Sequence, residues 1–340
     1  MRAAVVTRKG GPDVLEIREL PEPEPGPGQV RVRVKAIGLN FADVLMRLGV
    51  YTGTPAAPFV PGLELSGVVE KVGDGVDAFR GGESVMAVTR FGSHAEFVTL
   101  DAGRAMRMPA RMSFEEGAAF PVNYLSAHCG LVHLGRLRFG ERLLLHAAAG
   151  GVGIASIQLA RHIGAEIFGT AGSAAKVELI RSMGADHAIN YRLDDFAAVI
   201  RSQAGEKAID VVMDSVAGRL FRPGWDLLAP MGRYIIYGMA SVSGKAGLNY
   251  LRAAREFLAL PRIQPLQMVA SNRTLSGFHL GTLDPAHPYF HAAAAEILDL
   301  HERGVLRPFI GAIFPFEKIR EAHAHLQSRA STGKVVVTIR

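Results

Sequence analysis

The sequence predicts an α/β protein in which a doubly wound parallel sheet is inserted into a β-rich domain. The length of 340 residues exceeds the size at which a single hydrophobic core keeps growing, which favours two domains. Residues 123–283 alternate short apolar strands with helical segments, a pattern typical of a doubly wound parallel sheet. Glycine-bounded strands dominate residues 1–122, and residues 284–340 end in a strand that is expected to complete the same domain.

The first part of the chain is predicted to consist mostly of strands. Period-two alternation and glycine boundaries predict strands over residues 30–36, 65–73 and 83–88. Residues 40–49 have helical spacing and end in glycine, whereas the proline-rich residues 21–28 predict an extended connection. A helix over residues 115–133 is expected to lead into the inserted domain.

Strands and helices alternate in the inserted domain. The predicted strands cover residues 143–146, 167–170, 188–190, 209–214, 234–237 and 274–278. The predicted helices cover residues 152–163, 175–183, 194–203 and 218–229. A further helix is expected over residues 286–303. The apolar run 334–339 then predicts a final strand that returns to the first domain, because an interrupted domain needs both ends of the chain.

A strand, a glycine turn and a helix follow one another at residues 143–160. The run 143–145 predicts a buried strand, and apolar side chains at helical spacing begin at Ile154. This geometry points free backbone N–H groups at a pyrophosphate, and both flanking elements are present. The stretch therefore predicts a dinucleotide site, and the residues of its turn are Ala149, Gly150, Gly151, Val152 and Gly153.

The residues beyond this turn favour NADP(H) over NAD. In NAD-binding versions of the fold, an acidic side chain about 20 residues after the glycines binds the ribose 2′-hydroxyl. That position falls near Gly172, where Ser173 and Lys176 follow and no acid occurs. A small residue, a hydroxyl and an ammonium leave room and charge for a 2′-phosphate, and Tyr191 offers another donor. Lys176 by itself is equally compatible with a solvated helix face.

Composition excludes several other classes of protein. The single cysteine, Cys129, rules out an intrachain disulfide framework and is expected to be a core residue. No apolar run reaches the ~20 residues of a membrane span, and the amino terminus has no secretory apolar segment, so a cytoplasmic location is predicted. The net charge of +6 is mild and no basic block occurs, which argues against a nucleic-acid partner.

Motifs spread in order along the chain identify a family. NFAD at residues 40–43, LGVY at 48–51, PGLE at 61–64, HAAAGGVG at 146–153 and INY at 189–191 resemble the zinc-independent quinone oxidoreductase branch of the medium-chain dehydrogenase/reductase superfamily. YGMA at 237–240, SGFHLG at 276–281 and PFEK at 315–318 are similar to its vesicle-amine-transport-like (synaptic vesicle membrane protein homologue) group. The resemblance implies a Rossmann NADP-binding domain, residues 123–283, inserted in a GroES-like catalytic domain formed by residues 1–122 and 284–340.

The resemblance also implies that Asn40, Tyr51 and Ser126 surround the nicotinamide and the substrate, as catalytic residues, with Asn40 and Ser126 contacting the cofactor. An amide can orient a carboxamide or donate to a carbonyl, and a tyrosine can donate a hydrogen bond or a proton. Two structural alternatives stay open, namely Asn40 as the cap of the following helix and Tyr51 as a loop aromatic. Asp43 is expected to make local hydrogen bonds and not to act as a base.

Further cofactor contacts follow from the same resemblance. Phe278 and Leu280 are expected to close over the nicotinamide, and Tyr237 and Gly238 end a strand at the sheet edge where doubly wound folds bind ligands. Arg329 is similar to a cofactor-binding arginine of bacterial quinone reductases, although a solvated helix end explains it nearly as well. The turn at residues 149–153 is expected to face the pyrophosphate, and the residues expected around the 2′-phosphate are Gly172, Ser173, Lys176 and Tyr191.

The residues that would bind zinc in other members of the superfamily are missing. Asn40 stands where the first cysteine ligand would fall and Leu63 replaces a histidine, so that only Glu64 remains. One carboxylate does not make a tetrahedral zinc site, and no metal is predicted. The nearby histidines are expected to be interior or boundary residues and not ligands; they are His128, His133 and His146.

Without a Lewis acid, the acceptor must already be electron-poor. The sequence therefore predicts an NADPH-dependent enzyme that transfers a hydride to a quinone or an α,β-unsaturated carbonyl compound. Reduction of enoyl thioesters is one alternative, and an NADPH-binding scaffold or redox sensor associated with lipid or a partner, with little turnover, is an alternative of another class. By analogy with the family, strand 274–278 is expected to form a homodimer.

Residues 241–272 form a basic segment that the family pattern leaves unexplained. The charged side chains in its predicted amphipathic helix and flanks are Lys245, Arg252, Arg255, Glu256 and Arg262. A surface helix packed beside the cleft is favoured over a lid or a docking surface for an acidic partner or membrane.

Overall fold

The computed structural model describes residues 1–244, 247–248, 254–256, 258–260, 264–283 and 287–340. In chain order, the first part contains β1 (Arg2–Val6), β2 (Leu15–Glu19), β3 (Gln29–Leu39), α1 (Phe41–Leu48), β4 (Glu64–Val72), β5 (Ser84–Val88), β6 (Phe97–Asp101), β7 (Ala105–Arg107), α2 (Phe114–Ala119) and α3 (Pro121–His128). The central part contains β8 (Arg142–Leu145), α4 (Gly151–Ile163), β9 (Glu166–Ala171), α5 (Ala174–Ser182), β10 (His187–Asn190), α6 (Phe196–Ala204), β11 (Ile209–Asp214), α7 (Phe221–Asp226), β12 (Leu228–Ile236), β13 (Ser243–Gly244), β14 (Gly247–Leu248), α8 (Pro265–Ser271) and β15 (Thr274–Gly277). The final part contains α9 (Pro288–Glu302), β16 (Ile310–Pro315), α10 (Ile319–Gln327) and β17 (Lys334–Thr338).

The central strands form one parallel sheet in the order β10–β9–β8–β11–β12–β15. Its middle strands bury side chains on both faces, as Leu143 and Leu144 do, because helices cover both sides. When the six strands are renumbered 1 to 6 along the chain, their order in the sheet is 3-2-1-4-5-6. The chain therefore adds strands on one side of β8 first and then on the other side, from β11 onward. Such a reversal opens a crevice at the carboxyl ends of the strands, which is where open α/β sheets bind ligands.

Seven other strands build a second, mostly antiparallel sheet in the order β16–β17–β3–β4–β5–β7, with β6 paired to β3, whereas β1 with β2 and β13 with β14 form separate two-stranded sheets. β17 lies antiparallel to β3, so the end of the chain joins the sheet begun by its first part. The core of this sheet is separate from that of the parallel sheet and includes Val32, Val34 and Val337. The exact limits at 122/123 and 283/284 stay a prediction, and residues 284–286 lie outside the described part.

Two predicted helices are wrong in extent. The helix expected over residues 115–133 is interrupted at Phe120, because Pro121 begins a new helix, and it ends in a π-helical turn over Cys129–Leu134. The helix expected over residues 218–229 is shorter, since a 3₁₀ turn over Gly218–Leu220 precedes α7 and the chain is already in β12 by Leu228. The sequence reading also missed several elements: β1, β2, β6, β7, α8, β16 and α10.

Candidate active site

The glycine turn lies at the crevice of the parallel sheet. Gly150 is the N-cap of α4, and residues 151–153 form the first turn of that helix. The N–H groups of a first helical turn have no partner within the helix, so they are available to an anion. Gly150 also forms a parallel bridge with Gly333, whose N–H donates to Ala149 O at 2.8 Å. The turn is therefore held against the start of β17, which belongs to the other sheet.

Two glycines of this turn are required by close packing. A Cβ on Gly151 would lie 2.6 Å from the side-chain amide atoms of Asn123 on α3. A Cβ on Gly153 would run into the backbone oxygens of Ala147 and Ala148. Ser126 follows Asn123 by three residues, so both lie on the face of α3 that packs against the glycine turn. Ser126 is buried as well, and its contact with a cofactor stays a prediction.

The predicted 2′-phosphate residues come together at the end of β9. The Tyr191 hydroxyl covers Gly172 so closely that a Cβ on the glycine would lie 2.5 Å from Tyr191 Oη. Ser173 is the N-cap of α5, and its Oγ accepts from the Lys176 N–H at 3.4 Å. Burial, with a further contribution from the nearby Arg192 guanidinium, lowers the pKa of Lys176. Sequence reasoning missed Arg192, because its side chain approaches Lys176 only through the turn after β10.

Arg329 is not the solvated helix end that the sequence left open. Its backbone carbonyl accepts from Lys176 Nζ at 2.8 Å, and its Nη2 donates to Ala240 O at 2.8 Å. The residue has a left-handed conformation, with φ of 62°. Arg329 thus connects the end of α10 to the 2′-phosphate region on one side and to the loop after β12 on the other.

The residues expected at the nicotinamide lie at the ends of β12 and β15. The rings of Tyr237 and Phe278 are stacked, with centroids 5.5 Å apart and planes inclined by 6°. Gly238 approaches β11 closely, since a Cβ there would lie 2.8 Å from Ser215 O. Leu280 begins a 3₁₀ turn that extends to Thr282. Tyr237 and Gly238 therefore lie at the strand end where the sequence placed them, and Phe278 packs beside Tyr237. Contact of these residues with a nicotinamide stays a prediction.

Asn40 belongs to a polar group at the ends of three neighbouring strands, β17, β3 and β4. Its Nδ2 donates to Glu64 Oε1 at 2.8 Å and to Gly38 O at 3.3 Å, and its Oδ1 accepts from Lys334 Nζ at 2.8 Å. Lys334 Nζ also donates to Glu64 Oε1, and both side chains are almost inaccessible to solvent. Glu64 Oε2 accepts from the Val122 N–H at 2.9 Å. The Asn40 amide is thus oriented from both of its ends.

A cleft beside this group is lined by residues of loops that adjoin the two sheets. Its lining residues are Tyr51, Thr52, Gly53, Leu63, Arg90, Phe91, His279, Gly281 and Thr282. The Tyr51 ring packs against His279, with centroids 4.9 Å apart. Burial, together with the charge of Asp43, raises the pKa of Tyr51 to about 12. The tyrosine therefore stays protonated at neutral pH and can donate a hydrogen bond.

Asp43 makes the local hydrogen bond expected of it. Its Oδ2 accepts from the Asn40 N–H at 2.7 Å and thereby caps α1, whose other end stops at Gly49 in a left-handed conformation. His94 Nε2 lies 3.8 Å from the same oxygen. Both side chains are fully buried, and burial raises the pKa of Asp43 to about 7 while it lowers that of His94 to about 3.

Asp43→Asn is expected to change how stability depends on pH. Because the pKa rises on folding, the favourable effect of the protonated carboxyl is complete below the unfolded value of 3.8 and is lost as the pH rises through about 7. An amide can still accept from Asn40 N–H and never ionises. We expect the variant to exceed the wild type in stability at pH 8, by at most ~4 kcal/mol, and the difference to shrink toward pH 4. Urea titrations at pH 8 and pH 4 measure the unfolding free energies of the variant and the wild type. A stability difference that does not change with pH would contradict the expectation.

The histidines and the cysteine that the sequence set apart from metal binding have other partners. His128 is buried between Tyr289 Oη at 3.1 Å and Glu296 Oε2 at 3.0 Å, and His146 Nδ1 contacts Thr170 Oγ1 at 3.0 Å. Cys129 is buried, as predicted, and burial raises the pKa of its thiol to about 11. The expectation for His133 is wrong, because this side chain is exposed at the end of the π-helical turn.

Known proteins share the whole of this architecture. Residues 183–337 match the family described as zinc-binding dehydrogenase, and residues 26–110 match the alcohol dehydrogenase GroES-like domain. The synaptic vesicle membrane protein VAT-1 homolog of Rattus norvegicus is 39% identical over 99% of this chain and 84% of its own length. The chain belongs to the medium-chain dehydrogenase/reductase superfamily. It is an oxidoreductase of the VAT-1-like quinone oxidoreductase branch, as its motifs indicated.

Two further relatives confirm the fold class. Human quinone oxidoreductase is 31% identical over 100% of this chain and 98% of its own length. The crystal structure of Escherichia coli quinone oxidoreductase complexed with NADPH matches with a TM-score of 0.88 at 28% identity, over 100% of both chains. The predicted Rossmann and GroES-like folds are therefore correct. No helix in the described part is long and apolar enough to cross a membrane. The cytoplasmic location and the homodimer stay predictions.

The residues present do not fit the zinc ion that the name of one matching family implies. The side chains of Asn40 and Leu63 are not among the usual zinc ligands, which are cysteine, histidine, aspartate and glutamate. The Glu64 carboxylate is paired with the Lys334 ammonium. Within the described ranges, no group of three histidine, cysteine, aspartate or glutamate side chains is close enough to bind a metal ion. Lys334 could not have been assigned from the sequence, since 270 residues separate it from Glu64.

Much of the basic segment at residues 241–272 lies outside the described part, including Lys245, Arg252 and Arg262. Of the rest, Arg255 is exposed. Glu256 is buried and accepts from Arg219 N and Arg219 Nε, both at 3.2 Å. Glu256 therefore attaches the basic segment to the Rossmann domain.

Proposed function

We propose that this protein is an NADPH-dependent reductase that transfers a hydride to a quinone or an α,β-unsaturated carbonyl compound. The proposal rests on the donor set of the cleft, where a protonated Tyr51 replaces a Lewis acid. A hydrogen-bond donor stabilises the charge that develops on a carbonyl oxygen when the acceptor is already electron-poor. It does not activate a simple alcohol in the way a metal does. The donor set therefore favours quinones and enones.

The residues at the crevice fit NADPH. The first turn of α4 offers its N–H groups to a pyrophosphate, and the region around Ser173, Lys176 and Tyr191 offers a hydroxyl, an ammonium and a phenol to a 2′-phosphate. Arg192 adds a second cation there. The E. coli relative, which was crystallised with NADPH, supports the same assignment.

The chain's own part in the reaction is to bind, orient and donate. When bound, NADPH supplies the hydride from C4 of its nicotinamide ring. Tyr237, Phe278 and Leu280 would form the apolar surface against which that ring packs, and Asn40 and Ser126 would orient it. Tyr51 would donate a hydrogen bond to the acceptor oxygen. One proton completes the product. It goes to the oxygen of a quinone, from Tyr51 or from solvent, and to the carbon next to the carbonyl group of an enone, from solvent.

A single assay series tests the proposal. The purified protein is incubated with NADPH or NADH and a panel of ortho- and para-quinones, enones and enoyl thioesters, and the metal content of the same sample is measured. We expect NADPH oxidation with at least one quinone or enone, faster than with NADH, in metal-free protein. Tight NADPH binding without turnover on the whole panel would contradict it and would favour the scaffold or redox-sensor alternative.

Arg90 favours enoyl thioesters as a second class of substrate. This exposed guanidinium lines the cleft, and within the described residues it contacts a ring, Phe91, but forms no ion pair. A cation at the mouth of a cleft attracts an acceptor that carries phosphate groups, as coenzyme thioesters do.

Arg90→Ala is expected to raise KM about 3- to 10-fold for an enoyl thioester that carries phosphate groups, because an exposed charge contributes ~1 kcal/mol. KM for a neutral enone should not change. Steady-state kinetics on both substrates measure the effect, with Arg80→Ala, an exposed arginine outside the cleft lining, as the control. Equal changes for both substrates would contradict the assignment.

A further inference from the structure

His279 is a polar side chain in the cleft that no predicted role uses. It follows Phe278 and precedes the 3₁₀ turn that begins at Leu280. Neither Nδ1 nor Nε2 is accessible to solvent, and neither has a hydrogen-bond partner among the described residues. An unpaired buried polar group is costly, so its persistence in a ligand cleft points to a partner that arrives with the ligand.

Tyr51 and His279 come together at Gly281. A Cβ on Gly281 would be 3.4 Å from Tyr51 Oη, 3.2 Å from His279 Cε1 and 3.6 Å from His279 Nδ1. The tyrosine hydroxyl and the histidine Nδ1 edge therefore both lie against Gly281. Because both side chains also line the cleft, a molecule bound there lies next to both of them.

Burial lowers the pKa of His279, so the imidazole is neutral at physiological pH. A neutral imidazole offers one N–H donor and one acceptor nitrogen. It can therefore donate to an uncharged carbonyl oxygen without bringing a second positive charge into the cleft. Arg90 already brings one positive charge to the lining of the same cleft.

We propose that His279 is a second hydrogen-bond donor to the acceptor's carbonyl oxygen, acting opposite Tyr51 in the cleft. The two donors would form a site for the negative charge that develops on this oxygen as the hydride reaches the acceptor. The inference rests on the proposed function and extends it, because it selects acceptors whose carbonyl can enter between the tyrosine and the histidine. It also gives Gly281 a role, because a side chain at this position would press on both groups.

His279→Phe separates hydrogen bonding from packing, because a phenyl ring retains the contact with the Tyr51 ring but has no N–H. We expect a decrease of about 10- to 100-fold in the single-turnover rate of hydride transfer, with NADPH affinity unchanged. His279→Gln, which restores an N–H donor, should recover a large part of this rate. Gly281→Ala, whose methyl group would contact both donors, should lower the rate without replacing either donor.

The outcomes separate this inference from the proposed function. A wild-type protein that reduces a quinone or enone, together with a His279→Phe variant of undiminished rate, would overturn the role of His279 alone. A variant that loses NADPH affinity or unfolds, with no recovery in His279→Gln, would indicate a structural role and overturn it as well. A wild-type protein inactive on every acceptor would overturn both.

Discussion

Lys334→Met is expected to destabilise the folded protein by ~3–5 kcal/mol, because it leaves the buried Glu64 carboxylate without its countercharge. The Asn40 amide and the Val122 N–H would still donate to Glu64, but neither carries a charge. A methionine of similar length fills the space of the lysine, so loss of packing contributes little. Urea titration of the wild type and the variant measures the difference in unfolding free energy.

The double variant Lys334→Met/Glu64→Gln tests the cause of this effect. A glutamine carries no charge and still accepts from one of the two donors through its single amide oxygen, so the double variant should be more stable than Lys334→Met alone. Lys71→Met is the matched control, because Lys71 forms an exposed ion pair with Glu24 at 3.0 Å, which contributes at most ~1 kcal/mol. A single Lys334→Met variant as stable as this control would show that Glu64 is not held as a buried ion.

Lys176→Ala is expected to weaken NADPH binding about 10- to 100-fold and to leave NADH binding nearly unchanged. A hydrogen bond between an ammonium and a phosphate contributes ~1.5–3 kcal/mol, and only NADPH carries the 2′-phosphate. Arg192→Ala should act in the same direction, and the two effects should not add, because both cations approach one phosphate. Fluorescence titration with each cofactor measures the dissociation constants.

The contact between Lys176 Nζ and Arg329 O provides the alternative explanation. If Lys176 served only to hold Arg329, its loss would weaken NADPH and NADH binding equally. Lys207→Ala, which removes an exposed cation elsewhere in the Rossmann domain, controls for the change in net charge. Equal losses for the two cofactors would therefore rule out recognition of the 2′-phosphate by Lys176.

The elements that sequence reasoning found are those with strong local signals. The strand at residues 143–145, the glycine turn and α4 were placed correctly, because a buried parallel strand and a glycine-capped helix each carry their own pattern. Short strands such as β7 and β16 were missed, since their alternation is too brief to stand out. The interruption at Phe120 was missed because apolar residues continue on both sides of Pro121.

The sequence by itself determined the family, the two folds and the glycine turn, and it pointed to Ser173 and Lys176 beyond that turn. These features depend on local spacing and on motifs whose residues stay close along the chain. Only the tertiary structure decided which distant groups meet. Lys334 reaches Glu64 and Asn40 because β17 pairs with β3, and His279 reaches Tyr51 because the end of the parallel sheet faces the loop after α1. Burial then sets the protonation of Asp43 and Tyr51, and burial is a property of packing in three dimensions that no local pattern carries.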